Sequence, residues 1–155
     1  MKFKQLLIAL AAVSALAHAA DTPGSNPSVR TPTVSERLAT ARAAIQAKDW
    51  TKALNELNTA AREDSRNADV QNLLGYSYRK RATPDLAKAF EHYGNALRLD
   101  PKHKGALEYS GIAYLKTNQK AQADAQLAKL QAICANCEET RDLAKAVAEY
   151  KPAAK

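Results

Sequence analysis

No stretch of this chain sustains the alternation of apolar and polar residues that a half-buried strand requires. Ala, Leu, Lys, Glu and Gln, all good helix formers, dominate instead. A sheet framework is thereby excluded. Glycine is scarce, five residues in all, and no cluster of glycines forms a phosphate-cradling loop; Gly75 and Gly111 lie inside helical stretches, where packing accounts for them. No nucleophile, base and orienting residue stand out as a set, so nothing marks an active site. The 23 Lys and Arg residues are scattered among 16 Asp and Glu. That dispersal argues against a nucleic-acid surface, which needs a basic patch. Long apolar runs are also missing, with one exception near the start.

The exception covers residues 6–16. Lys2 and Lys4 precede it and the small residues Ala17-His18-Ala19 end it, the order of a secretory signal peptide. The run is shorter than the roughly 20 apolar residues needed to span a bilayer. Cleavage near Ala19 is expected, with the mature protein periplasmic or secreted and no membrane insertion. The remaining chain, about 136 residues with a net charge of +5, suits one domain.

Residues 20–33 are rich in Pro, Ser, Thr, Gly and Asn and carry little to bury, so a flexible linker is predicted. Thr33-Val34-Ser35-Glu36 has the form of a capping box, and the folded part should begin there. Leu38, Ala41, Ala44 and Ile45 then share one helical face. After a break at Lys48-Asp49, Ala53, Leu54, Leu57, Ala60 and Ala61 share another. The pattern returns twice. Gly75 and Gly111 are 36 residues apart, as are Tyr78 and Tyr114, and Ala53, Ala89 and Ala123 are spaced by 36 and 34.

A period of about 34 residues built from two helices is the tetratricopeptide length. The chain resembles that family through Leu74-Gly75-Tyr76-Ser77-Tyr78 with Ala89, Tyr93, Ala96 and Asp100-Pro101, and through Gly111-Ile112-Ala113-Tyr114 with Ala123. The resemblance implies an all-α fold of three antiparallel helix-turn-helix repeats, at about 34–67, 68–103 and 104–137, stacked as a short right-handed superhelix. A capping helix at 138–150 would close it, followed by a disordered tail at 151–155. The first repeat departs from the pattern, with Ala41 and Ala44 where glycine and tyrosine are usual. The second carries two extra residues near Ala82-Thr83-Pro84-Asp85, where Thr83 is expected to cap a helix opened by Pro84.

Cys134 and Cys137 are the only cysteines. In an exported chain so close a pair points to a disulfide, here across the bend into the capping helix. The alternative is a thiol-disulfide accessory, but such motifs follow a strand, and Glu138 and Glu139 disfavour thiolate. Haem attachment would need histidine at position 138. A zinc site needs four ligands, and the mature chain adds only His92 and His103, expected on the surface of the second repeat. No cofactor is expected.

The resemblance further implies that the first helix of each pair lines a concave groove for a protein or peptide. The columns carried over give Leu38, Arg42, Ile45 and Gln46, then Asn72, Tyr76, Arg79 and Lys80, then Glu108, Ile112, Leu115 and Lys116. Arg42, Arg79, Lys80 and Lys116 would supply positive charge, and Tyr76 and Ile112 apolar contact. The implied partner segment is therefore acidic and partly apolar. Leu73 and Tyr76 stand where the carboxylate clamp of chaperone-binding relatives has asparagines. The function implied is a non-enzymatic adaptor. A repeat that chiefly oligomerises is the third reading, and oligomeric state is left open.

Overall fold

The computed structural model describes residues 30–152. The signal peptide expected at 1–19, the linker up to residue 29 and the last three residues lie outside them. Among the described residues there are seven helices and no strand: α1 (Val34–Gln46), α2 (Trp50–Glu63), α3 (Ala68–Lys80), α4 (Leu86–Leu99), α5 (Lys104–Lys116), α6 (Lys120–Ile133) and α7 (Glu138–Glu149). They pack as the pairs α1/α2, α3/α4 and α5/α6, with α7 laid against α5 and α6. The all-α helical repeat is thus present. No described helix is long and apolar enough to cross a membrane.

Local chemistry sets the boundaries. Thr33 forms the capping box at α1: its hydroxyl accepts from the Glu36 amide, and the Glu36 carboxylate accepts from the Thr33 amide at 2.8 Å. Asp49, Asn67 and Asp85 cap α2, α3 and α4 with their side-chain oxygens. The α4 cap is Asp85 rather than the expected Thr83, because the chain stays non-helical past Pro84 and a carboxylate is the residue that reaches the Lys88 amide, at 3.0 Å.

Inside each pair, one contact recurs. Lys48 and Asn118 adopt φ 58°, and the next amides, Asp49 and Gln119, reach back to the carbonyls of Ala44 and Tyr114 at 2.8 and 2.9 Å. This is the Schellman closure of a helix. In the second repeat the longer turn bulges outward, yet the Asp85 amide still finds the equivalent Tyr78 carbonyl at 2.9 Å. The two extra residues therefore leave the pairing of α3 and α4 unchanged.

Three apolar clusters run along the stack. Ala41, Leu57, Val70 and Leu74 join α1 to α3; Ala89, Tyr93 and Ala113 join α4 to α5; Leu107, Leu130 and Leu143 join α5, α6 and α7. The small residues allow the approach. A Cβ on Gly75 would stand 2.6 Å from the Tyr93 ring and 3.0 Å from the Ala89 carbonyl oxygen, whereas the nearest atoms to one on Gly111 belong to the side chain of Leu143, at 2.6 Å.

Tyr93 is 1 % exposed, so its ring has nowhere to retreat, while leucine methyls can shift. Gly75→Ala is accordingly expected to cost about 2 kcal/mol even after the helix-propensity gain, and Gly111→Ala clearly less. Urea unfolding of the two variants checks this; equal losses would refute the distinction.

Candidate functional site

The first helices of the three repeats converge on a hollow of about 170 Å³ lined by Arg42, Ile45 and Gln46 of α1, Leu73 and Tyr76 of α3, and Tyr109 of α5. Tyr76 is its centre. Tyr78, two residues on, turns into the core and stacks on His92 with the rings 5.4 Å apart and nearly parallel. Tyr76 instead faces Tyr109 at 4.8 Å and Trp50 at 6.4 Å between ring centroids.

Tyr109 was not among the residues expected from the sequence, although it lies 36 positions after Leu73, in the same column. Ile112, expected to supply the apolar contact, is half-buried against the Leu107, Leu130 and Leu143 cluster. Tyr109 takes that role.

Arg79 occupies the expected column but is not a free groove cation. It is 6 % exposed. Its Nε donates to the Tyr93 hydroxyl at 3.2 Å, and its guanidinium lies 5.2 and 5.5 Å from the ring centres of Tyr76 and Tyr109. The planar cation thus braces the aromatic wall from behind, as arginine can and lysine cannot. Burial pushes both the Tyr93 and Tyr109 phenols up to about 12, so they stay neutral. A Glu at position 79 would leave a buried anion beside those phenols, and loss of capture in such a variant would report folding. Lys80 and Lys116 are exposed at the ends of α3 and α5.

Asn72 and Glu108 are buried in the groove columns. The Asn72 Oδ1 is buried with no hydrogen-bond partner, and its amide nitrogen would stand 3.0 Å from a Cβ at Gly105. The Glu108 carboxyl is pushed up to about 7, first by burial, then by Asp142 and Glu139 of α7. Arg42 is half-exposed and reaches Asp69 at 3.6 Å, and Asp69 meets the His103 Nε2 at 3.0 Å. The first contact joins neighbouring repeats, and the second ties α3 to the N-cap of α5.

The histidines differ from expectation. His92 is half-buried, with Nδ1 2.9 Å from the Gln71 Oε1, and burial lowers its pKa. His103 is the N-cap of α5, its Nδ1 accepting from the Ala106 amide at 3.1 Å.

Cys134 and Cys137 occupy positions filled by other residues in the earlier turns between repeats. Asp64, Asp100 and Cys134 each end a second helix in extended backbone, and Asn67, His103 and Cys137 each precede the next helix. Both cysteines are free thiols here, so the expected disulfide is not formed in this structure. Hydrogen bonds hold the bend instead: the Thr140 hydroxyl donates to the Cys134 carbonyl at 2.6 Å, and the Cys137 thiol to the same oxygen at 3.2 Å. Hydrogen bonding with Cys137 raises the Cys134 pKa and lowers that of Cys137.

Residues 8–118 match the family described as TPR-S, Tetratricopeptide Repeats-Sensor, which is more than half of the chain. The chain belongs to this family. It is also similar to the DnaJ protein P58IPK homolog A of Oryza sativa subsp. japonica, 33 % identical over 97 residues, or 61 % of this chain and 20 % of that protein. The chain thus spans about a fifth of the length of the curated relatives it matches. Among solved structures, the Arabidopsis OM64 TPR domain superposes with a TM-score of 0.68 at 17 % identity, covering 77 % of this chain and 97 % of that one. The first TPR of Spaghetti (RPAP3) bound to the HSP90 peptide SRMEEVD gives 0.64 at 14 % identity, over 75 % and 94 %. The tetratricopeptide array is a protein–protein interaction module.

Proposed function

We propose that this chain is an exported, non-enzymatic adaptor that holds an extended segment of a partner protein across α1, α3 and α5. The observation that carries the reading is the hollow around Tyr76, because three successive repeats each supply part of its wall. Aromatic rings give a bound segment large contact area at small entropic cost, and the half-exposed Arg42 beside them attracts an acidic side chain. The solved RPAP3 complex, with its peptide SRMEEVD, is consistent with a groove of this fold taking such a segment. The periplasm is the compartment that residues 1–19 suggest.

Within this reading the thiol pair belongs to the turn into α7, since it stands at the positions that Asp64 and Asn67 hold in the first such turn. The partner can be recovered by placing a photo-crosslinking residue at Gln46 and sequencing what is captured. Its binding to the purified protein is then expected to weaken at least about tenfold in the Tyr76→Ala, Tyr109→Ala double variant, the loss of two central aromatic anchors. Fluorescence anisotropy with the recovered segment reads this directly. Unchanged affinity in a double variant that keeps its helix content would place the binding face elsewhere.

A further inference from the structure

The groove holds one nearly buried carboxyl that has no protein partner and keeps slight access to solvent. Glu108 is 8 % exposed, and among the described residues no hydrogen bond or ion pair reaches it. Opposite it the first turns of α7 bring Glu138, Glu139 and Asp142, all acting on it electrostatically. Two cations stand nearby, and both are engaged. Lys104 pairs with Glu139 at 3.5 Å, and Arg79 of α3 is held between Tyr76 and Tyr109 with its Nε on the Tyr93 hydroxyl. A buried carboxyl facing three further acids is a costly arrangement unless something positive joins it.

We propose that this corner between α5 and α7 is the subsite for a lysine or arginine side chain of the segment bound in the groove, with the Glu108 carboxylate as its direct partner. The inference deepens the groove reading and rests on it. A metal ion fits less well, because among the described residues no three His, Cys, Asp or Glu side chains stand close enough to hold one. An alkylammonium or guanidinium needs no such convergence. It can meet Glu108 singly and draw on the surrounding negative potential, while its methylene stem lies on apolar surface.

The subsite gives the groove two ends of opposite sign. Arg42 lies in the wall toward α1, and the acids lie toward α7. A segment carrying an acidic residue for one and a basic residue for the other, with apolar side chains over Tyr76 and Tyr109 between them, is held in a single direction. The implied partner is therefore bipolar rather than simply acidic.

The pH dependence follows from the same geometry. The groups facing Glu108 are Asp142, Glu139 and Glu138 from α7 and Arg79 from α3; burial first, and then the three acids, keep its proton on to about pH 7, while Arg79 acts in the opposite sense. A cation binds the carboxylate form, so its affinity rises as pH climbs from 6 to 8.

The test uses nitrogen-15-labelled protein and two probes at constant ionic strength, N-acetyl-lysine methylamide and its uncharged counterpart N-acetyl-norleucine methylamide, followed by amide chemical shifts at pH 6 and pH 8. The lysine probe is expected to move amides in residues 105–112 and 138–142, with severalfold tighter binding at pH 8, and the norleucine probe to leave them. Glu108→Gln should abolish the response, and Glu91→Gln, on the exposed face of α4, should keep it. The proposal is overturned if the lysine probe causes no shifts, if norleucine matches lysine, or if Glu108→Gln keeps the response. Loss of the lysine response while capture still depends on Tyr76 and Tyr109 removes the subsite alone; the converse result removes the groove and leaves the cation site.

Discussion

Leu143→Ala is expected to destabilise the protein by about 3–4 kcal/mol, within the range for truncating a leucine in a closed core, and to do so unevenly along the stack. Leu143 is fully buried. It sits with Leu107 and Leu130 in the last apolar cluster, and its methyls fill the space that a side chain at position 111 would need. Because each repeat touches only its neighbours, the loss should appear first in α7 and the α5/α6 pair. Hydrogen exchange should show amides of 138–149 losing protection while those of α1 and α2 hold theirs. Adding Gly111→Ala to Leu143→Ala should recover part of the stability, since the new methyl enters the vacated space and favours helix. Uniform loss of protection, or a second substitution that adds its full separate cost, would contradict the packing described.

Glu108→Gln is expected to change the pH profile of stability more than any other single polar substitution in the groove. The ordinary carboxyl titrates at 4.5, and the folded one is raised to about 7. Between these values the folded state keeps a proton that the unfolded state has released. Stability therefore falls as pH rises through that window and levels off above it. A tenfold change in proton affinity is worth about 1.4 kcal/mol, and solvent at the mouth of the groove screens part of the effect, which leaves a difference on the order of 2 kcal/mol. The glutamine side chain keeps the shape and never ionises, so the variant should match wild type near pH 4 and exceed it at pH 8. His92, whose pKa burial lowers, works in the opposite sense in both proteins, and comparing variant with wild type cancels it. Urea midpoints at pH 4.5, 6 and 8 decide the matter; parallel curves for the two proteins would mean Glu108 ionises normally.

The two predictions join one feature to another. Leu143 seats α7, and α7 brings Glu138, Glu139 and Asp142 to Glu108. Loosening the cap with Leu143→Ala should thus reduce the repulsion on Glu108 as well as opening the core. In the folded protein the closing helix both covers apolar surface and shapes the charge of the groove.

The helices were legible because their signals are local. Thr33 and Glu36 form the capping box that their spacing implied, and Gly75, Ala89 and Tyr93 meet as their columns suggested. Tyr76 and Tyr78 diverge for the same reason, since residues two apart on a helix point to different sides. Asp85 was harder to read as the cap of α4 than Thr83, because both precede the helix and only the path of the turn decides which oxygen meets the Lys88 amide.

The site was legible only in outline. Arg79 reads as a surface charge in the sequence, yet tyrosines from α3, α4 and α5 enclose it. Tyr109 shares a column with Leu73 and could have been found by carrying that column forward, whereas Ile112 packs in part against the cluster that α7 completes. The raised pKa of Glu108 depends first on burial and then on acids some 30 residues away, and nothing local records it. By itself the sequence determined the helices, their period and the helix faces offered to the groove, because spacing and capping act over a few residues. Only the tertiary structure decided which of those side chains are committed and which carry unmet charge, because burial and pairing depend on neighbours that the chain supplies from other repeats.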